Sequence, residues 1–183
     1  MSKEETRALA AACGLENAEK SESQDICFVP DGDYASFIEQ HTGQASQPGP
    51  VFDVTGTLRG QHLGLIRYTI GQRKGLNLSG GTEPLYVVGK DAGENSLIVG
   101  PAEALFKREV HAGDVSLVSG RPWRGELCCC AKIGYRMAPA PAVACCEEGR
   151  LSVFFDEAVR AVSPGQSIVL YDGERVIGGG EIV

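Results

Sequence analysis

Apolar positions run in two rhythms along the chain, and the rhythm changes near residue 50. Before it, Ala8, Leu9 and Ala12 repeat at helical spacing. Ser2 with Glu5 three residues later forms a capping box ahead of them, and Gly14 supplies a stop, so one short helix is predicted here. A lone helix of this length does not hold its shape in water, which makes the segment dependent on a partner. Ile26-Cys27-Phe28-Val29 is a brief apolar run that reads as a buried strand. Asp33 then caps a second helix running to about His41 and ended by Gly43. Gln44 to Pro50, polar with two prolines, reads as a linker.

From Val51 onward the period becomes two. Short β-rich runs at VFDV, LYVVGKD and SLIVG are separated by Thr-Gly, Gly-Gly and Glu-Asn punctuation. After Val110 strand follows strand: VHAGDVSLV, ELCCCAKIGY, APAVACC, RLSVFFD, QSIVLY and RVIGGGEIV, with turns at Ser-Gly, Ala-Pro, Glu-Gly, Pro-Gly and Asp-Gly. Six short strands at this spacing predict an antiparallel barrel. The expected fold is therefore mainly β with some α: residues 1–42 with two helices, a small mixed α+β module at 43–107, and a six-stranded antiparallel β-barrel at 108–183.

Charge sharpens this division. The net charge of −7 is carried almost entirely by residues 1–42, where nine acids stand against three bases, a net of −6. By contrast, Val54 to Thr82 has no acid and four bases (Arg59, Arg67, Arg73, Lys74), and Leu127 to Cys146 has Lys132 and Arg136 and again no acid. Such stretches can meet phosphate, or they can be ordinary solvated faces. No apolar run approaches the roughly 18–20 residues that span a bilayer, and MSKEETRALA holds no signal-peptide core, so a cytoplasmic protein with no membrane partner is expected. Seven cysteines, an odd number, in such a compartment are expected as free thiols. None of Cys128, Cys129, Cys130, Cys145 and Cys146 has the C-x₂-C spacing that recurs in zinc sites, so no metal site is expected there.

Several residues could carry chemistry. Cys27 shares a strand face with Asp25, and a carboxylate beside a thiol raises its pKa unless a cation offsets it; on spacing alone Cys27 reads as a core residue before it reads as a nucleophile. Arg73, Lys74 and His62 could donate to phosphate from a glycine-rich loop, with a packed structural corner as the other reading of that loop. Lys132, Tyr135 and Arg136 lie on a strand without acids, where cations could meet phosphates and the tyrosine ring could stack on a base or simply pack.

Three long stretches, in order, resemble one family, the tRNA-specific 2-thiouridylases. AEKSESQDICFVPDGDYASF (18–37) is similar to the end of that family's catalytic domain, GQHLGLIRYTIGQRKGL (60–76) to the signature of its middle domain, and SPGQSIVLYDGERVIGGGEI (163–182) to its carboxy terminus. The resemblance implies that Cys27 carries a persulfide whose sulfur replaces oxygen at C2 of a wobble uridine activated by adenylation. It implies a sulfur-donor protein, a cysteine desulfurase or relay protein, as partner. Tyr135 and Gln166 stand where the family touches tRNA, while Gly134 replaces the family's arginine. ATP and Mg²⁺ are implied for an amino-terminal domain that these residues do not contain. Ser79-Gly80-Gly81 is followed by Thr-Glu-Pro and reads as a turn, not an ATP loop. The chain is accordingly expected to be a truncated piece or the second half of a split gene, inactive alone. A non-catalytic RNA-binding or interaction barrel is the competing expectation, and a thiol redox protein a third that the lack of C-x-x-C disfavours.

Overall fold

The structure, a computed structural model, describes residues 2–16, 18, 29, 33–78, 83–121, 123 and 125–183. These fall into two compact units, 1–45 and 46–183. Among the described residues strands predominate, with two α-helices, a four-stranded mixed sheet and a closed six-stranded antiparallel barrel; the mainly β class with some α and the six-stranded barrel are as the alternation predicts, while the sheet has one strand more than the three runs expected.

In the first unit the helix ends are set by the residues expected to set them. Helix α1 spans Lys3–Ala12; the Ser2 hydroxyl accepts from the Glu5 N–H and the Glu5 carboxylate accepts from the Ser2 N–H, so two otherwise orphaned donors are satisfied reciprocally. Helix α2 spans Tyr34–Thr42, capped by the Asp33 carboxylate on the Ser36 N–H and closed by Gly43 at φ 68°. The apolar stripe of α1 is exposed. Cys27 and most of the strand expected around it lie outside the described residues, as do Ser79, Gly80 and Gly81; Val29 is described and is buried.

The second unit begins with β1 (Gly49–Asp53), so the expected linker gives way to strand two residues before Val51. Strand β2 (Leu58–His62) pairs antiparallel with β1 around a bulge, β3 (Tyr86–Asp91) and β4 (Ser96–Gly100) form a hairpin, and β4 runs parallel to β1, giving the order β2-β1-β4-β3. Its core is Val51, Tyr68, Leu76, Val87, Leu97 and Val99.

The barrel follows with β5 (Phe106–Leu117), β6 (Glu126–Lys132), β7 (Ala140–Glu147), β8 (Arg150–Arg160), β9 (Ser167–Asp172) and β10 (Arg175–Ile182), closed in the order β10-β5-β8-β7-β6-β9. Alternate residues point inward: Val110 and Ala112 from β5, Ala142 and Ala144 from β7, Leu151, Val153 and Phe155 from β8, Ile168 and Leu170 from β9. Each fully buried leucine or isoleucine contributes about 1.5–3 kcal/mol. Two strands differ from the sequence-based bounds. β5 starts at Phe106 and β8 continues to Arg160, because a bulge between Lys107 and Glu109 lets polar residues extend the ladder beyond the apolar run.

One polar corner fixes the β1–β2 hairpin. The buried Asp53 carboxylate accepts from the Thr55 hydroxyl and N–H, the Thr57 N–H, and Arg59 Nε and Nη2, both at 2.7 Å. The Thr55 hydroxyl leads these bonds in holding the carboxyl well below the usual carboxylate range, against the opposing effect of burial. A group whose native pKa is depressed stabilises the fold above its unfolded value, near 4, and that contribution fades as pH falls toward the native value. Asp53→Asn is therefore expected to melt lower than wild type at pH 7, with the gap closing progressively below about pH 4; thermal melts across that range check it.

Candidate functional site

The glycine-rich segment after β2 is a structural corner built around His62. His62 is fully buried, 0% exposed. Its Nδ1 accepts from the Gly64 N–H at 3.0 Å, which places the proton on Nε2, and Nε2–H donates to the Asn95 carbonyl at 2.9 Å. Asn95 in turn donates through Nδ2 to the carbonyls of Gln47 and Pro48, and Tyr68 packs edge-on to the imidazole while its hydroxyl accepts from the Leu63 N–H. Gly64 sits against Ser46 so closely that a Cβ would collide with that side chain. Both His62 nitrogens are thus spent inside the fold, and the phosphate contact expected of this residue gives way to a role in joining β2 to the β3–β4 turn. Arg73 and Lys74 stand exposed on the following loop, whose path is tied down by Gly71 N–H to the Val87 carbonyl and by the Gln72 side chain to the Lys74 carbonyl.

The barrel gathers the other candidates more tightly. β6 ends at Lys132, and residues 134–137 form a turn closed by the Met137 N–H on the Gly134 carbonyl, so Tyr135 and Arg136 lie on a turn and not on the strand expected for them. Strand geometry would have put Tyr135 against a neighbouring strand; on the turn it is 94% exposed and packs in no core. The Lys132 ammonium lies 5.6 Å from the centre of its ring, within cation–π range.

On β9, Val169 pairs with Lys132 and Tyr171 with Cys130, so Lys132, Val169 and Tyr171 share the outer face. Gln166 precedes β9 and is held by its N–H on the Ser163 carbonyl and by its carbonyl accepting from the Ile182 N–H. Lys132, Gly134, Tyr135, Gln166, Ser167 and Tyr171 line one open groove of about 360 Å³. No carboxylate lines it. A second groove, of about 560 Å³, shares Gly134 and Gln166 with the first and adds Arg136 and Arg160, with Glu157 as its one acid. Arg160 also lies 5.6 Å from the centre of the Tyr86 ring, bracing β8 against β3.

Lys132, Tyr135, Arg136 and Gln166 are therefore brought together, while Arg73 and Lys74 line neither groove. Tyr171 and Arg160 were missed. The outward phase of QSIVLY, with Ser167, Val169 and Tyr171 opposite Ile168 and Leu170, could have found the tyrosine. Arg160 gave no local signal, since its partner Tyr86 is distant in sequence.

Two barrel thiols, Cys129 and Cys145, are made poor nucleophiles by their surroundings. Burial, with the neighbouring Cys130 and Cys128 adding to it, pushes Cys129 up to about 11, and burial followed by the Glu147 carboxylate raises Cys145. Among the described residues no group of three His, Cys, Asp or Glu side chains is placed to hold a metal ion.

Three family models match the chain in succession: the tRNA methyl transferase HUP domain at residues 1–31, the tRNA methyl transferase PRC-barrel domain at 35–101 and the Aminomethyltransferase beta-barrel domain at 107–182. The tRNA-specific 2-thiouridylase MnmA of Magnetococcus marinus is 45% identical over 184 residues, covering 100% of this chain and 51% of that protein. The chain belongs to the tRNA-specific 2-thiouridylase family. Proteins of the same name from Roseiflexus castenholzii, 46% identical over 98% of this chain and 48% of theirs, and from Geotalea uraniireducens, 45% over 100% and 48%, agree. The chain spans about half the length of these curated relatives and corresponds to the carboxy-terminal half of the thiouridylase. No helix among its described residues is long and apolar enough to cross a membrane.

Replacing His62 by leucine leaves a buried donor and a buried acceptor unsatisfied, at about 1–3 kcal/mol for each. His62→Leu is expected to lower the urea midpoint of unfolding while leaving circular dichroism at low urea close to wild type.

Proposed function

We propose that this chain is the tRNA-holding and sulfur-delivering part of a tRNA 2-thiouridylase, binding tRNA on the barrel surface around Tyr135. The observation that carries this reading is the Tyr135 ring itself: 94% exposed, with a lysine ammonium 5.6 Å from its centre, in a groove without carboxylates. An aromatic ring left in water has given up the burial that normally justifies it, and a cation beside it is suited to a base stacked next to its own phosphate. Gln166, with donor and acceptor on one side chain, can bond a base edge or a ribose hydroxyl, and Arg136 can reach backbone phosphate. Arg73 and Lys74 offer further phosphate contacts from the neighbouring loop, and His62 supports that loop from within.

Cys27 is the proposed sulfur carrier. After loading by a cysteine desulfurase or a relay protein, its terminal persulfide sulfur would attack C2 of an adenylated uridine, with AMP leaving. A second thiolate, supplied from outside these 183 residues, would then attack the Cys27 sulfur and break the S–S bond, leaving the outer sulfur on uridine and a disulfide for an external thiol to reduce. ATP and Mg²⁺ would be handled by a segment outside these 183 residues, since no phosphate-binding loop occurs in them. Thiolation by this chain alone is not expected, and the reading places the protein in the cytoplasm with tRNA.

Two experiments test the two halves of this reading. In tRNA titrations, Tyr135→Ala should weaken binding by about tenfold, the order set by losing one stacking ring worth ~1–3 kcal/mol. A Cβ at Gly134 would meet nothing within 4 Å, so Gly134→Arg fits without strain and should tighten binding while steepening its salt dependence by about 0.7–0.9. Unchanged affinity in both variants would rule out this face. Incubation with a cysteine desulfurase and cysteine should add one sulfur to the intact chain by mass, and Cys27→Ser should abolish the gain; an equal gain in Cys27→Ser would remove Cys27 from the role.

A further inference from the structure

A third cleft, of about 460 Å³, lies between the mixed sheet and the barrel and shares Gln166 with the two grooves already described. Its polar lining is Lys90, Lys107, Thr69, Ser163 and Gln166, set among Ile70, Val88, Val162 and Pro164, with no carboxylate. Among the described residues neither lysine is held by an ion pair. Two lysines lining one cleft with no carboxylate in its walls make that cleft electropositive and suited to an anion.

A strand irregularity lies beside each lysine. The β3–β4 register shifts between Val87 and Gly89, just before Lys90, and the β5–β8 register shifts between Lys107 and Glu109. A bulge adds local twist and re-aims the side chains beside it, and such features are often placed next to functional sites. The cleft walls are braced at three points: Gly71 N–H to the Val87 carbonyl, Val87 N–H to the Gln72 carbonyl, and Ala161 N–H to the Leu105 carbonyl. Ser163 spends its hydroxyl proton on the Ala161 carbonyl, so the other polar lining residues, Lys90, Lys107, Thr69 and Gln166, are the ones that can supply donors to a ligand. Partial burial also holds Lys90 below the ordinary lysine range, which a bound anion would reverse.

We propose that this cleft binds a phosphodiester group of an RNA strand through Lys90 and Lys107, with Gln166 joining it to the Tyr135 groove. The class of ligand rests on reading the Tyr135 groove as an RNA surface; the anion site rests on the cleft's own donors. A strand whose base stacks on Tyr135 would pass Gln166 and lay a neighbouring stretch of backbone between sheet and barrel. Because a phosphate contact carries no sequence information, its loss should weaken all tRNAs alike.

The test compares wild type with Lys90→Gln, Lys107→Gln and the double variant in tRNA titrations at several salt concentrations, with thermal melts confirming the fold. The double variant is expected to bind several-fold more weakly at ~0.15 M salt, and to lose about 0.7–0.9 from the slope of log affinity against log salt. An unchanged affinity and slope in the double variant, while Tyr135→Ala weakens binding, would overturn the cleft but leave the RNA surface standing. A loss in the double variant with none in Tyr135→Ala would sustain the cleft and remove the surface. Should wild type bind no tRNA, inorganic phosphate titrated against the Lys90 and Lys107 amide resonances decides: a saturable shift sustains the anion site, and flat resonances overturn it.

Discussion

Closure of the barrel depends on how near β10 can come to the strands on either side of it. Gly178, Gly179 and Gly180 follow one another on this strand, and a Cβ on any of them would run into a neighbouring carbonyl: Ser116 and Gly113 on β5, Ile168 on β9. Side chains there would hold the last strand away from its neighbours, leaving an open sheet with two unpaired edges. The three glycines remove that obstacle on both sides. Paired to β5 and β9 at once, β10 turns a row of strands into a sealed core of valine, leucine, isoleucine, alanine and phenylalanine.

The candidate site inherits its geometry from that closure. The end of β10 fixes Gln166, whose carbonyl accepts from the Ile182 N–H while the same Ile182 carbonyl accepts from the Gly165 N–H. β9 then carries Tyr171 outward beside Lys132 on β6. Above them the turn at 134–137 presents Tyr135 to solvent. Thr69 and Ile70, which follow the His62 corner, line the neighbouring groove, where Arg160 at the end of β8 lies over the Tyr86 ring of β3. A rigid scaffold thus displays aromatic and cationic groups on turns and strand ends, where they can meet a partner without a cost in core packing. The acids of residues 1–42 and the acid-free stretches at 54–82 and 127–146 divide the chain electrostatically, so a net charge of −7 says little about the surface that would face RNA.

Much of this was legible in the sequence because its causes are local. Ser2 with Glu5, Asp33 and Gly43 mark helix ends through bonds that span a few residues. Inward and outward alternation marks the barrel strands for the same reason. β2 was missed because Leu58–His62 has no apolar alternation; it is a strand by virtue of its pairing with β1 across a bulge. The turn after Lys132 was missed because Gly134-Tyr135-Arg136 carries no Asn-Gly or Asp-Gly signal, and the strand was read through it. For His62 the sequence leaves phosphate donor and packed corner both open, because the partner that decides it, Asn95, lies 33 residues away. Lys90 and Lys107 gave no hint of each other, since only the meeting of sheet and barrel joins them. Residue identity and period announce contacts made within a turn or a strand, whereas a surface assembled from distant segments becomes visible only after folding. Family membership was legible for another reason, the ordered run of three long stretches across the whole chain.

In the proposed complex Tyr135 faces tRNA. Hydroxyl-radical footprinting read by mass spectrometry addresses it directly, because a ring 94% exposed oxidises readily in the free protein. With saturating tRNA, oxidation of Tyr135 should fall sharply while that of exposed Leu9 on α1 stays as it was. Equal oxidation of Tyr135 with and without bound tRNA would contradict the account.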